Sequence, residues 1–341
     1  MAKDSYTIHN VKPFERLGAG RNLITALGFF APEASADFRI SLDHIVASEA
    51  DPQNVNDRFN YSDYNIQASK KFSNFSFSLP HVVEKGGVTG ADVLGVRRFG
   101  GREDEQAVMA DMIATKQIEQ YQRHQRTVEL QQARSLFANT VDLGAEGVLN
   151  VADELGIAQG TSSAWDLTSL ESINHPMKQL MSKRNALIKS LGALSNKVTG
   201  IFCFLGDDAF NALKYNDLVR DDYKYSLNPS DNPLVRYSEE LEIFESIQLN
   251  NIHFLNVGMD SEIAEMVGNS GFLVPRFDAD AGVMSNYYGP ATRMSKIRSV
   301  LPYYSYSIDD GTYGNVSVES EFSSLPVNKL PSAAVKFDVT I

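Results

Sequence analysis

The chain has 341 residues, of which 43% are hydrophobic, 22% charged and 10% aromatic, with a net charge of −12. That composition supplies a full apolar core and excludes wholesale disorder. The acidic balance argues against a dedicated nucleic-acid binder, whose affinity comes from neutralising phosphates, although a local basic patch can survive the average. Cys203 is the single cysteine, so neither an intramolecular disulfide nor a cysteine-based zinc site can form within one chain. No apolar run reaches the roughly 18–20 residues that cross a bilayer, so no membrane partner is expected. MAKDSYTIHNVKPFERL has no apolar signal core, and a reducing cytoplasm is the expected site of synthesis.

Residues 1–40 read as an N-terminal arm. Its cluster LITALGFF (residues 23–30) is too short for a core of its own and is expected to dock on the body of this subunit or on a neighbour. Residues 41–100 are strand-like and polar. FSNFSFSL (residues 72–79) alternates Phe72, Phe75 and Phe77 with Ser and Asn, the period-two signature of a half-buried strand, with a slip between Phe72 and Phe75 that reads as a bulge. With few large aliphatics this region predicts a long protruding β-hairpin, and deleting residues 50–90 is expected to leave the body folded. The glycine-rich end, SLPHVVEKGGVTGADVLGVRRFGG (residues 78–101), lacks both the Gly-x4-Gly-Lys-Ser/Thr spacing and the strand–Gly-x-Gly-x-x-Gly–helix order that phosphate binding needs, as does GAGRN (residues 18–22). It predicts turns, and no cofactor.

From 103 to 139 there is neither glycine nor proline. The acidic start Glu103-Asp104-Glu105 and the basic Arg134 near the end suit the two poles of one helix of about 50 Å. Its apolar positions (Met109, Met112, Ile113, Ile118, Tyr121, Val128, Leu136, Phe137) form a thin interrupted stripe, so the helix should lie across a sheet as a strut instead of forming a coiled coil. The second half alternates helices and strands. HPMKQLMSKRNALIKSLG predicts a helix with Pro176 in its first turn and Gly192 as its stop. VTGIFCFLG predicts a buried strand, DDAFNALKYNDLVRDDY helix, IQLNNIHFLNV a strand pair or one long strand, and GFLVPRF another strand. Residues 166–300 are the candidate compact α+β unit, and residues 301–341 return to alternation and end in a strand.

Few side chains suggest chemistry. Asp207 and Asp208 follow a buried strand, where α/β enzymes often place active groups, but aspartate at a helix start is the simpler reading. Asp278 and Asp280 could line a cation, yet the calcium-loop pattern is absent. The six histidines are scattered, no nucleophile elbow occurs, and Cys203 lies in an apolar strand where a thiol is inert. Catalytic residues, cofactors and metal ligands are therefore not assigned. Arg97, Arg98 and Arg102 stand before the long helix, either as inter-subunit ion-pair partners or as a solvated basic cluster opposite Glu103–Glu105.

The order of parts resembles the major capsid proteins of tailed bacteriophages, and most nearly the family of the phage lambda major capsid protein E. The resemblance is carried, in order, by LPHVVEKGGVTGADVLGVRRFGG, GIAQGTSSAWDLTS, IFCFLGDDAFNALKYNDLVRDDY, FLVPRFDADAGVMSNYYGPATRMSKI, PYYSYSIDD and SSLPVNKLPSAAVKFDV. It implies an α+β, Hong Kong 97-type capsid fold. The parts would be an arm (1–40), an extended loop (41–100), a peripheral domain (101–165) with a spine helix at 103–139, an axial domain (166–300), and C-terminal strands (301–341) returning to the peripheral domain. It further implies pentamers and hexamers of the chain itself, tiling an icosahedral head around double-stranded DNA without sequence-specific contact. A portal protein, a separate scaffold protein and a decoration protein would be partners, with assembly in the host bacterial cytoplasm. On this view Arg97, Arg98, Arg102, Phe72, Phe75 and Phe77 are inter-subunit contacts. Two other readings stand beside it: an α/β enzyme with an acidic site near Asp207, Asp208 and Asp278, and a nanocompartment shell of the same fold. A very large assembly separates the shell readings from an enzyme, which stops at a small closed oligomer.

Overall fold

A computed structural model describes residues 22–43, 74–90, 92, 105–144, 147–169, 174–224, 241, 243–293, 299–309 and 315–341. Its centre is a mixed sheet whose strands run in the order Ser246–Leu249, Ile252–Asn256, Val198–Leu205, Ser270–Phe277, Val335–Thr340 and Gly160–Thr161, with Trp165–Asp166 also paired to the last long strand. Ile201–Leu205 is buried without interruption, as expected of a strand covered on both faces. On one face Phe29 packs edge-on to Phe202, and Phe137 meets Phe204 and Phe272. On the other, Trp165 stacks on Phe254 and meets Phe337, while its indole N–H donates to the Pro176 carbonyl at 2.9 Å. That contact seats the helix Pro176–Leu191, which begins and ends at the predicted proline and glycine.

Two local features follow from residue chemistry. IQLNNIHFLN is a strand pair, turned by Asn250 and Asn251, both at positive φ (49° and 61°), a conformation that asparagine tolerates well. Gly271 has no room for a side chain, since a Cβ there would lie 2.3 Å from the Phe337 ring. DDAFNALKYNDLVRDDY forms two helices, Asp207–Tyr215 and Asp217–Lys224, because Asn216 leaves the helical region and accepts from the Leu218 and Val219 N–H groups.

The long helix runs from Glu105 to Ala133, about 43 Å. It continues as a π-helical turn, Arg134–Ala138, and stops at Asn139 in the left-handed region. Beside it lies a three-stranded antiparallel sheet of Tyr304–Asp309, Val316–Ser323 and His81–Val88. A second small sheet joins Ala31–Ala34, Met284–Tyr288 and Leu325–Asn328. Arg39–Asp43 pairs antiparallel with Asn74–Ser78, so residues 44–73 connect two paired strands, the base of the predicted hairpin.

Of the two docking places expected for LITALGFF, the body of its own subunit is the one occupied: Leu23, Ile24, Leu27 and Phe29 are in the main core, because this apolar cluster has a sheet face within its own subunit to cover. Two expectations are corrected. The last strand, Val335–Thr340, does not return with its C-terminal companions but joins the central sheet between Ser270–Phe277 and Gly160–Thr161, and burial of Val335 and Phe337 with exposure of Lys336 and Asp338 gives this strand one buried side. His81–Val88 is an integral strand of the sheet beside the long helix, so removing residues 50–90 would cut into the body.

Candidate functional site

Among the residues singled out from sequence, Phe72, Arg97, Arg98 and Arg102 lie outside the described residues, and of Phe75 only the backbone is described, opposite Leu42. Phe77 is 8% exposed and shares a cluster with Ile40, Leu79, Val141, Tyr287 and Leu325. It is core of its own subunit, which corrects its assignment as an inter-subunit contact: the ring's apolar area is already covered. The acidic trio is not assembled. Asp207 and Asp208 follow the end of Val198–Leu205, whereas Asp278 donates its N–H to Lys197 just before that strand begins, so roughly 23 Å of strand separates them. Asp207 accepts from Asn256 Nδ2 at 2.9 Å, a structural tie. Burial pushes the Cys203 thiol well above its usual range, which removes it as a nucleophile. Among the described residues, no three His, Cys, Asp or Glu side chains gather as a metal site.

What the fold brings together instead is a set of ties centred on the long helix. Glu129 is fully buried, and its two oxygens accept from the Ile24 N–H (2.7 Å), the Thr25 N–H (2.9 Å) and the Thr25 hydroxyl (2.7 Å). The carboxylate thus receives the first N–H groups of the helix Leu23–Leu27, which have no partner inside that helix. Burial raises its pKa, and the three donors oppose the rise. One turn earlier Arg126 forks onto Asp260 and reaches Glu262, joining the long helix to the start of Ser261–Val267. The two carboxylates and the hydrogen bonds hold the guanidinium firmly protonated.

Toward its other end the helix faces a polar sheet. Gln120 Nε2 donates to the Val318 carbonyl at 3.1 Å and packs on Gly86, while Arg123 pairs with Glu84. His124 stands against Phe322 and Tyr303, and burial lowers its pKa to about 4, so it is neutral at pH 7. The far side of the same sheet carries Glu319 and Glu321. Glu321, fully buried, accepts from the Thr292 N–H and hydroxyl (3.1 and 3.0 Å) and lies 3.3 Å from His81 Nε2. Glu319 pairs with Lys85 at 3.0 Å and Arg293 at 3.9 Å. Burial and these two carboxylates push the Tyr306 hydroxyl up to about 12.

Glu129 and Glu321 accept from backbone and hydroxyl donors and Glu319 pairs with two cations, so the three can hold strands, helix and loop in register. Sequence reading missed all three. Glu319 and Glu321 alternate with Val318, Ser320 and Phe322, a pattern that ordinarily marks a solvent face, and Glu129 sits in a glutamine-rich run with no local mark of burial.

A family model described as phage major capsid protein E matches residues 64–339. Among solved structures, the chain is similar to a protein of an E. coli CFT073 prophage described as its capsid protein, at 12% identity and a TM-score of 0.60, covering 98% of this chain and 100% of that one. It is also similar to the capsid protein of cyanophage A-1(L), at 13% identity and a TM-score of 0.54, covering 95% and 94%. At such identities these likenesses establish the fold, a tailed-phage capsid fold over nearly the whole chain. No curated protein sequence matches.

Proposed function

From the premise that this chain belongs to the phage major capsid protein E family, we infer the part each region plays in the shell. The chain is a major capsid protein, a structural subunit of the virion head. Its copies assemble as pentamers and hexamers into an icosahedral shell around double-stranded DNA, inside the host bacterial cytoplasm, with a portal protein, a scaffold protein and a decoration protein as partners. The observation that carries this reading is the family match over residues 64–339 together with a paired base, Arg39–Asp43 and Asn74–Ser78, for a long connecting segment. Residues 44–73 supply the part of the extended loop that reaches a neighbouring subunit, and Arg97, Arg98, Arg102, Phe72 and Phe75 are inter-subunit contacts. The long helix and the sheet of His81–Val88, Tyr304–Asp309 and Val316–Ser323 form the peripheral domain. The central sheet, with Val335–Thr340 included, forms the axial domain.

Negative-stain electron microscopy of the protein expressed alone and purified by size tests this. Closed or aberrant shells tens of nanometres across are expected, and removal of residues 46–71, which spares both paired strands, should leave a folded subunit that no longer closes shells. Normal shells from the deletion variant would overturn the loop assignment.

A further inference from the structure

The central sheet ends in an open edge. Gly160–Thr161 and Trp165–Asp166 both pair parallel with Val335–Thr340, and among the described residues no strand lies beyond them. Such an edge presents N–H and C=O groups to any chain able to add a strand. Here it is interrupted by one extra residue. Thr161 stands opposite Lys336 and Trp165 opposite Val339, so four steps along the edge face three along its neighbour. The extra residue is a bulge, and it shifts the alternation of the strand by one. Thr161 is exposed beside exposed Lys336, whereas Trp165 is wholly buried beside half-buried Val339.

Two side chains of the helix Pro176–Leu191 hold this bulge. Lys183 is 7% exposed and lies on the buried face between Leu180 and Leu187, where the helical period calls for an apolar residue. Among the described residues its ammonium has no carboxylate partner. It donates to the Ser163 carbonyl, to the Ser163 hydroxyl at 2.9 Å and to the Ser162 hydroxyl at 3.2 Å, which engages all three of its protons. The Ser163 carbonyl is thereby turned toward the body of the subunit. One helical turn earlier, Gln179 Oε1 accepts the Asp166 N–H at 3.2 Å. Ser162 donates its N–H inward to Lys336 and Leu167 to Thr340, so the residues just before them, Thr161 and Asp166, point theirs away from the sheet. Gln179 therefore occupies one outward donor of the edge, and Lys183 withdraws a carbonyl.

We propose that Lys183, together with Gln179, guards this edge by fixing the bulge, so that a strand from another copy of the chain cannot add to the central sheet. A buried ammonium without a counter-ion costs stability relative to an apolar residue of similar size, so packing does not account for Lys183. The bulge alone sets the side on which Trp165 is buried. A bulge whose carbonyl swung outward would still offer a pairing group, and it is this carbonyl that Lys183 holds inward. Bulges and inward-pointing lysines are the means by which open sheet edges are closed to pairing. The inference goes beyond the shell reading and does not depend on it, because a single unassembled subunit carries the same edge.

The test is the mass of the unassembled fraction of the full chain, measured by sedimentation over a range of concentrations in which the parent's mass is constant. Lys183→Met keeps an apolar stem of similar length and removes the three donors. Its mass should rise to about two subunits or more, with amide exchange at residues 161–164 slowing as it associates. Adding Thr161→Pro, which deletes an outward N–H and spares the bond from Ser162 to Lys336, should restore the parent's mass. Trp165 is the only tryptophan and is buried at the end of the same edge, so unshifted emission verifies that each variant is folded there. Deleting Ser163 is a second route to a continuous edge, because it removes the extra residue and leaves Trp165 opposite Val339 on its buried side. The parent's mass in both Lys183→Met and the deletion variant overturns the proposal. So does association that Thr161→Pro leaves unchanged, or that leaves exchange at residues 161–164 fast, since either result assigns it to another surface.

Discussion

The two ends of the long helix are buried by opposite chemistry. At the C-terminal end Ala133, Leu136 and Phe137 enter the main core, where Phe137 meets Phe204 and Phe272. Toward the N-terminal end the buried positions are Gln117 and Gln120, laid on a sheet that offers Ser305, Ser307 and Ser320. Burial therefore follows the helical period along the whole strut, while hydrophobicity follows it only at one end. Apolar area contributes free energy without direction, whereas hydrogen bonds contribute little net free energy and much direction. One end of the strut is anchored, and the other is positioned.

Breaking the anchored end should cost most. Phe137→Ala is expected to lower unfolding free energy by about 3–5 kcal/mol in a denaturant titration, because it opens a cavity between Phe204 and Phe272. Glu129→Ala strips the acceptor from two backbone N–H groups and a hydroxyl in the same region. A loss of about 2–4 kcal/mol is expected, less for Glu129→Gln, which keeps one oxygen. Trypsin cutting near residue 22 should accelerate in step with it.

At the positioned end the effects shrink. His124 has its folded pKa depressed by burial to about 4, so between pH 6.5 and 4 the unfolded chain takes up a proton that the folded chain refuses. Stability is complete above pH 6.5 and falls by up to about 3 kcal/mol as pH drops through that window. His124→Phe should remove that part of the slope in melts taken from pH 7 to 4. Gln120→Ala deletes the bond to the Val318 carbonyl and should cost about 1 kcal/mol, with faster amide exchange in Val316–Ser323. Gln117→Leu is the smallest and has the opposite sign. Its Nε2 is buried without a partner, so an apolar replacement should be neutral or stabilising by up to about 1 kcal/mol. A large loss there would show that the polar end also bears load.

Much of the fold was legible in short stretches. Pro176 and Gly192 bound a helix as predicted, IFCFL is a fully buried strand, and the glycine-free run from 105 to 138 is one continuous helix with a π-helical end. The candidate site was less legible. Phe77 carried the correct period but belongs to its own subunit's core, and the acidic trio dissolved because Asp207 and Asp278 stand at opposite ends of one strand. Glu129, Glu319 and Glu321 were missed, since nothing local distinguishes a carboxylate that will be buried from one that will be solvated.

The amino-acid sequence by itself determined the ends of some elements, such as the helix Pro176–Leu191 and the strand Val198–Leu205, because caps, glycines and periodicity act over a few residues, but not the break at Asn216. It also determined the collinear order of parts that matches the capsid family. Only the tertiary structure decided that Leu23–Leu27 closes the main core, that Val335–Thr340 joins the central sheet, and that a glutamine-rich helix face is buried. Those outcomes depend on donors and apolar surfaces brought together from positions more than a hundred residues apart, as Glu129 and Ile24 are, and no local pattern encodes which distant group will arrive.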